Sequence, residues 1–208
     1  MKYLILIFFL TTVVSAFSQE NDTVRYVQYD KNYKFQDGIY MTFQEFKEND
    51  PSIKDFKVIK GSQFSGGTTL EGPCSDKSGY CDIKNCWGYV QNNAVYISQG
   101  LSGYFYRLQI IGALIHYFAF NIFSTPMYDY SYGYPYHRNQ RSVENQEFLI
   151  EFATGKRIEF SYKPFLLFLQ INDSELYDEL RKSKKKRKMI YHFMLQYNER
   201  HPICFPLQ

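Results

Sequence analysis

The chain has none of the short motifs that carry a recognisable chemistry. There is no G-x-S-x-G, so a hydrolase nucleophile elbow is not supported. Gly61, Gly66 and Gly67 lie close together but match no Walker or dinucleotide spacing, which excludes a phosphate cradle of those types. There is no C-x-x-C-H for covalent haem. Charge of one sign is also scarce: 24 Lys and Arg face 21 Asp and Glu, a net charge of +3. Nucleic acid as principal partner usually requires a strongly basic surface, so this balance argues against it. Long apolar runs are few. Leu4–Val14 is too short to span a bilayer, which takes about 20 residues. Leu101–Phe123 is longer, but it contains Arg107, Gln109 and His116, and a buried Arg is costly in lipid.

Aromatics are abundant instead: 20 Tyr and 19 Phe, against one Trp. Tyr is apolar and polar at once, so a chain that is 45% hydrophobic keeps a mean hydropathy of −0.41. Tyr and Phe at this density fit a β-rich protein better than a helical bundle.

The first residues read as an export signal. Met1-Lys2-Tyr3 supplies one positive charge, Leu4–Val14 is the apolar run, and Ala16-Phe17-Ser18 ends it with small residues. Cleavage is expected before Gln19, and removing 18 of 208 residues leaves 190, enough for one domain with its own core. The compartment would be periplasm, envelope or medium. No cysteine at the cut site points to a lipid anchor.

Four cysteines would then sit in an oxidising environment: Cys74, Cys81, Cys86 and Cys204. Four allow three pairings. One local bridge, with Cys204 tied back to the remaining thiol, is the expected arrangement. The C-x6-C-x4-C spacing lacks the tight pairs of structural zinc sites, so no metal is assigned. No cofactor is assigned either.

Along the mature chain, residues 19–32 are polar and read as a flexible N-terminus, with Asp22-Thr23-Val24 matching a short O-glycosylation acceptor pattern. Residues 33–208 read as a single α+β domain: a mostly antiparallel β-sheet of hairpins with C-terminal helices. Asp37-Gly38 is a turn, Ile39–Met41 a short strand, and Thr42 with Glu45 a capping box opening a helix that Pro51 closes. Residues 53–70 read as a strand and a loop, and 74–86 as a cysteine loop. Trp87–Ile97 reads as a hairpin about Gln91-Asn92-Asn93. Leu101–Phe123 reads as two strands bent near Gly112, and 148–160 as a second hairpin about Gly155. Helices are predicted from Lys163-Pro164, from an Asp173 cap, and around Met189–Tyr197.

The stretch D-G-I-Y-x-T-F-x-E-F-x-x-x-x-P-S over residues 37–52 resembles the opening of a family of exported bacterial proteins of unknown function. Cys86-Trp87-Gly88-Tyr89, Phe152–Lys156 and Tyr197–Pro202 look similar too. The resemblance covers most of the mature chain and implies no activity.

Two segments suggest binding. Residues 124–146 hold a Tyr-rich insert, with Tyr130, Tyr132, Tyr134 and Tyr136, which reads as an adaptable aromatic loop. Residues 181–188 hold seven cations in eight residues, including Lys184, Lys185 and Lys186. Such a run attracts anionic lipid or acidic polysaccharide, and Glu175, Asp178 and Glu179 lie where they could neutralise part of it. No catalytic residue is assigned. His116 reads as structural, and Glu45 is explained by its cap. The leading expectation is a non-catalytic envelope module that binds a protein or glycan. The alternative is a hydrolase of envelope material, which requires Glu45, His116 or His192 to converge on one cleft.

Overall fold

The computed structural model describes residues 24–61, 67–74, 78–98, 103–129 and 136–207. For 121–129 and 136–144 it describes the backbone alone.

The core of the architecture is a seven-stranded antiparallel sheet. Its strands are β2 (Gly38–Tyr40), β6 (Gly88–Gln91), β7 (Ala94–Ser98), β8 (Phe105–Ile110), β9 (Leu114–Asp129), β10 (Tyr136–Glu151) and β11 (Arg157–Glu159). They lie in sequence order, with β2 beside β6 at one edge. From β6 to β11 each strand pairs with the next in sequence, which needs only local connections, whereas β2 joins the edge from a distance.

Alternation dictates the layers. In β7, Val95 and Ile97 face one cluster and Tyr96 the other. In β9, Ile115 and Tyr117 face the first cluster while Leu114 faces the helices. The Asn92-Asn93 loop between β6 and β7 takes φ of 53° and 61°. Positive φ at both residues is what a two-residue hairpin turn requires, and Asn tolerates it.

One face of the sheet is covered by helix α1 (Phe43–Glu48) and by a two-stranded ribbon. That ribbon pairs β1 (Tyr26–Gln28) with β12 (Cys204–Pro206). The flexible reading of residues 19–32 is therefore corrected for 26–28. The chain's two ends pair with each other, and Phe205 is fully buried against Phe35 and Phe46. Asp22 and Thr23 lie outside the described residues.

The opposite face has two covers. Over β2, β6 and β7 lies a small antiparallel sheet of β3 (Lys57–Lys60), β4 (Thr68–Pro73) and β5 (Tyr80–Ile83). The loops expected across 68–73 and 80–83 are thus strands. Thr, Gly and Pro hide them in sequence, and backbone pairing such as Leu70↔Ile83 orders them. Over β9 and β10 lie helices α2 (Tyr162–Asn172), α3 (Ser174–Lys182) and α4 (Lys186–Arg200). The mostly antiparallel sheet with C-terminal helices is the α+β class expected. Among the described residues no helix is long and apolar enough to cross a membrane.

Two polar side chains lock the layers together. Asn49, in the left-handed region at φ 51°, caps α1 and is 1% exposed. Its Oδ1 accepts from the backbone N–H of Gln36 (2.9 Å) and from Tyr40 Oη, and its Nδ2 donates to Tyr33 Oη (2.9 Å). Asn198 of α4 acts as a surrogate strand at the bend between β8 and β9. Its Oδ1 accepts from Leu114 N–H at 2.7 Å, and its Nδ2 donates to Leu114 O at 2.9 Å. Gly112 makes room for it: a Cβ there would stand 2.6 Å from the Asn198 amide.

Candidate functional site

Side chains able to do acid–base chemistry are dispersed. Glu45 is held by the backbone: its Oε2 accepts from Met41 N–H (2.7 Å) and Ser52 N–H (3.4 Å), while Thr42 Oγ1 accepts from Glu45 N–H (3.2 Å). It sits on α1, on one side of the large sheet. His116 lies on the other side, 2% exposed, with its ring edge-on to Phe118, Phe160 and Tyr191. Its Nε2 is 2.9 Å from Oε2 of Glu147, and its Nδ1 has no partner among the described residues. His192 is exposed on α4 against Phe193. His201 stacks on Tyr197 and approaches Asp173 at 3.7 Å. The side chain of His137 is not among those described.

Glu147 is the partner that sequence alone could not supply. It opposes Phe118 in the β9–β10 register, and so stands diagonal to His116 on the same face. A His–carboxylate pair can orient a proton; here the imidazole is walled by rings while Glu147 is part-exposed, and among the described residues no hydroxyl or thiol is bonded to either. Among the described residues no three His, Cys, Asp or Glu group to hold a metal.

The cysteines divide as follows. Cys74 and Cys81 form a disulfide across β4 and β5, with Cα atoms 5.2 Å apart. The expected second bridge is not made. Cys86 is buried beside Ile39, Leu70 and Tyr89, and that burial pushes its thiol up to about 11. Cys204 is exposed on β12, in the ribbon that covers the other face.

The Tyr-rich insert is where structure departs most from expectation. Its described residues, 124–129 and 136–146, are strand and not loop. Residues 114–129 and 136–151 form one hairpin of two 16-residue strands. β8 is registered to β9 only at His116 and Tyr117, and β11 to β10 only at Phe148–Ile150. The neighbours reach a little further: Glu147 O accepts from Phe160 N–H at 2.8 Å, and Phe120 O accepts from Tyr106 Oη at 3.3 Å. From Asn121↔Glu144 to Asp129↔Tyr136 no third strand is registered to the ladder among the described residues. At about 3.3 Å per residue the nine pairs from Asn121↔Glu144 to Asp129↔Tyr136 run on for roughly 30 Å. Tyr136 begins the returning strand opposite Asp129. Tyr130, Tyr132 and Tyr134 lie outside the described residues.

The basic run joins α3 to α4. Lys184, Lys185 and Lys186 are exposed, as are Arg187 and Lys188, and no ion pair is recorded for any of the five among the described residues. Of the three acids expected to neutralise part of the run, Glu175 and Glu179 turn instead to Arg200, at 3.0 and 3.9 Å, and Asp178 is exposed. Arg200 also approaches Asp173, which caps α3. Beside the basic run is an open groove of about 660 Å³, with Phe160, Pro164 and Ile190 along it and Lys163, Arg187 and Glu159 around it.

A search for relatives returned nothing: no protein-family model, no curated protein and no solved structure matches the chain.

Proposed function

We propose that the protein is an exported, non-catalytic interaction module of the cell envelope, with the β9–β10 arm as its principal binding element. The observation that carries this reading is the arm itself. A two-stranded ribbon is at best marginally stable alone, and strand edges to which no third strand is registered, as from Asn121↔Glu144 outward among the described residues, invite another chain. A protein that only needed a stable core would end this hairpin near Phe120 and Asn145, where its neighbours end. Strand addition along the outer ladder, with Tyr128 and Tyr136 near its end, suits a protein or glycan partner.

Export is supported by the leader-like first 18 residues and by the Cys74–Cys81 disulfide, which fits an oxidising compartment. The family resemblance of residues 37–52 agrees with it. Against the hydrolase reading stands the separation of Glu45, His116 and His192, each occupied or placed apart from the others.

The test is a shortened arm. Thr125 and Gln140 are register partners, so residues 126–139 can be replaced by Asn-Gly, a two-residue hairpin turn. The shortened chain should keep its melting temperature within about 2 °C and lose retention on isolated envelopes. Full retention would refute the reading.

A further inference from the structure

We infer that the α3–α4 turn and the outer stripe of α2 together form a docking face for an anionic phospholipid bilayer. The inference stands on a different part of the molecule from the arm.

Three observations converge. First, Lys184–Lys188 present five consecutive exposed cations; Glu179, in the second half of α3, is drawn to Arg200, and Glu175 lies in the first turn of α3, at the end away from the lysines. Asp178 and Glu159 are the acids left close by. Second, Lys163 and Arg187 flank the same groove, along which lie Phe160, Pro164 and Ile190. A phosphate headgroup can sit between the two cations with its glycerol and upper acyl carbons against those apolar residues. Third, Lys163 heads a stripe on α2. Leu167 and Ile171 follow at i+4 and i+8, and they are 60% and 83% exposed. Exposed aliphatic residues beside a polybasic turn are the make-up of a face that lies on a membrane: charge attracts, and side chains enter the interface.

Charge complementarity fixes the sign of the partner, and the aliphatic stripe fixes its kind. An acidic polysaccharide would meet the lysines equally well but has nothing to place against Leu167 and Ile171.

The test is vesicle flotation with the chain from Gln19, which contains every described residue and omits the leader-like segment. Vesicles of phosphatidylcholine alone are compared with vesicles holding 30% phosphatidylglycerol, and a soluble acidic polysaccharide serves as competitor. Anionic vesicles should bind and neutral ones should not. Each Lys or Arg near such a surface is worth about five-fold. The variant K184Q/K185Q/K186Q should therefore weaken binding by about 100-fold. L167S/I171S should weaken it by at least about ten-fold while leaving the lysines in place. Both variants change exposed residues and should melt like the native chain. The arm-shortened chain should float as the native chain does, so a failure of the arm reading and a failure of this one are distinguishable. Equal binding to neutral vesicles would overturn the inference. So would native-like flotation of L167S/I171S, since attraction by charge alone would then suffice.

Discussion

Replacing Asn198 tests how the fold is held at the bend between β8 and β9. The side chain satisfies both backbone groups of Leu114, a residue with no exposed surface. Asn198→Ala leaves one donor and one acceptor without protein partners. An unsatisfied buried polar group costs about 1–3 kcal/mol. Asn198 is itself half-buried, so water can reach part of the site, and the lower half of the range applies to each group. The expected loss is about 2–4 kcal/mol. For a domain of this size that lowers Tm by roughly 4–16 °C. Asn198→Asp sharpens the test because it keeps the shape. At neutral pH a carboxylate oxygen would face Leu114 O, and the loss should equal or exceed that of Ala. In acid the protonated carboxyl can donate to that carbonyl, so part of the loss should return. Gly112→Ala pushes on the same amide, and its cost should shrink in the Asn198→Ala background. Thermal melts at two pH values measure all of this. A shift below about 1 °C for Ala, or an Asp variant as stable as the native chain at pH 7, would refute the clamp.

Thiol counting tests the cysteine assignment: under native conditions one thiol, Cys204, should react with a soluble disulfide reagent. A second, Cys86, should react only on unfolding, because it is buried and its thiol is pushed up to about 11. Rapid reaction of two thiols would contradict it. Alkaline titration tests the packed tyrosines. Burial pushes Tyr89 and Tyr117 up to about 12, with Tyr96 adding to the first and Arg157 opposing the second. A folded-state pKa above the unfolded one gives stability that is complete below pH 10 and lost as pH rises towards 12. Phenolate absorbance should therefore appear in two phases, the later one coinciding with unfolding. One smooth phase without unfolding would contradict it. Glu45→Ala should cost about 1–2 kcal/mol of stability, since the carboxylate serves two backbone N–H groups, and guanidine melts would measure it.

The sequence showed the meander and the helices because their signals are local. Asn92-Asn93 marks a hairpin, Thr42 and Asp173 cap helices, and Leu101–Phe123 breaks at Gly112, all within a few residues of chain. It did not show what depends on distant pairing. β1 is three residues long, polar by composition, and ordered only because β12 lies beside it. β4 and β5 contain Gly72, Pro73 and exposed Tyr80, and they read as loop until paired. The arm was hidden for a different reason: Tyr, Ser and Asn serve loops and strands alike, and only the continuous register from Leu114↔Glu151 to Asp129↔Tyr136 shows a ladder.

The same contrast explains why the most distinctive motif points to no chemistry. Its residues are used by the fold. Asp37 accepts from the N–H groups of the Asn92-Asn93 turn. Gly38 is packed against Pro51. Glu45 ties α1 to its flanks, and Phe43 and Phe46 pack on Trp87. Phe43 also lies against Gly155, whose φ of 73° suits glycine, and a Cβ there would stand 2.7 Å from the ring. Asn198 clamps Leu114. Residues used this way serve the fold, while the surfaces proposed for binding lie elsewhere, on the arm and the basic turn.

The most direct measurement is site-specific photo-crosslinking in living cells. A photoreactive residue replaces Tyr128 or Tyr136 on the arm, and Gln91 at the opposite end of the sheet serves as control. The account expects one discrete adduct from the arm positions and none from position 91. Adducts from all three alike, or none from the arm while the protein remains envelope-bound, would contradict it.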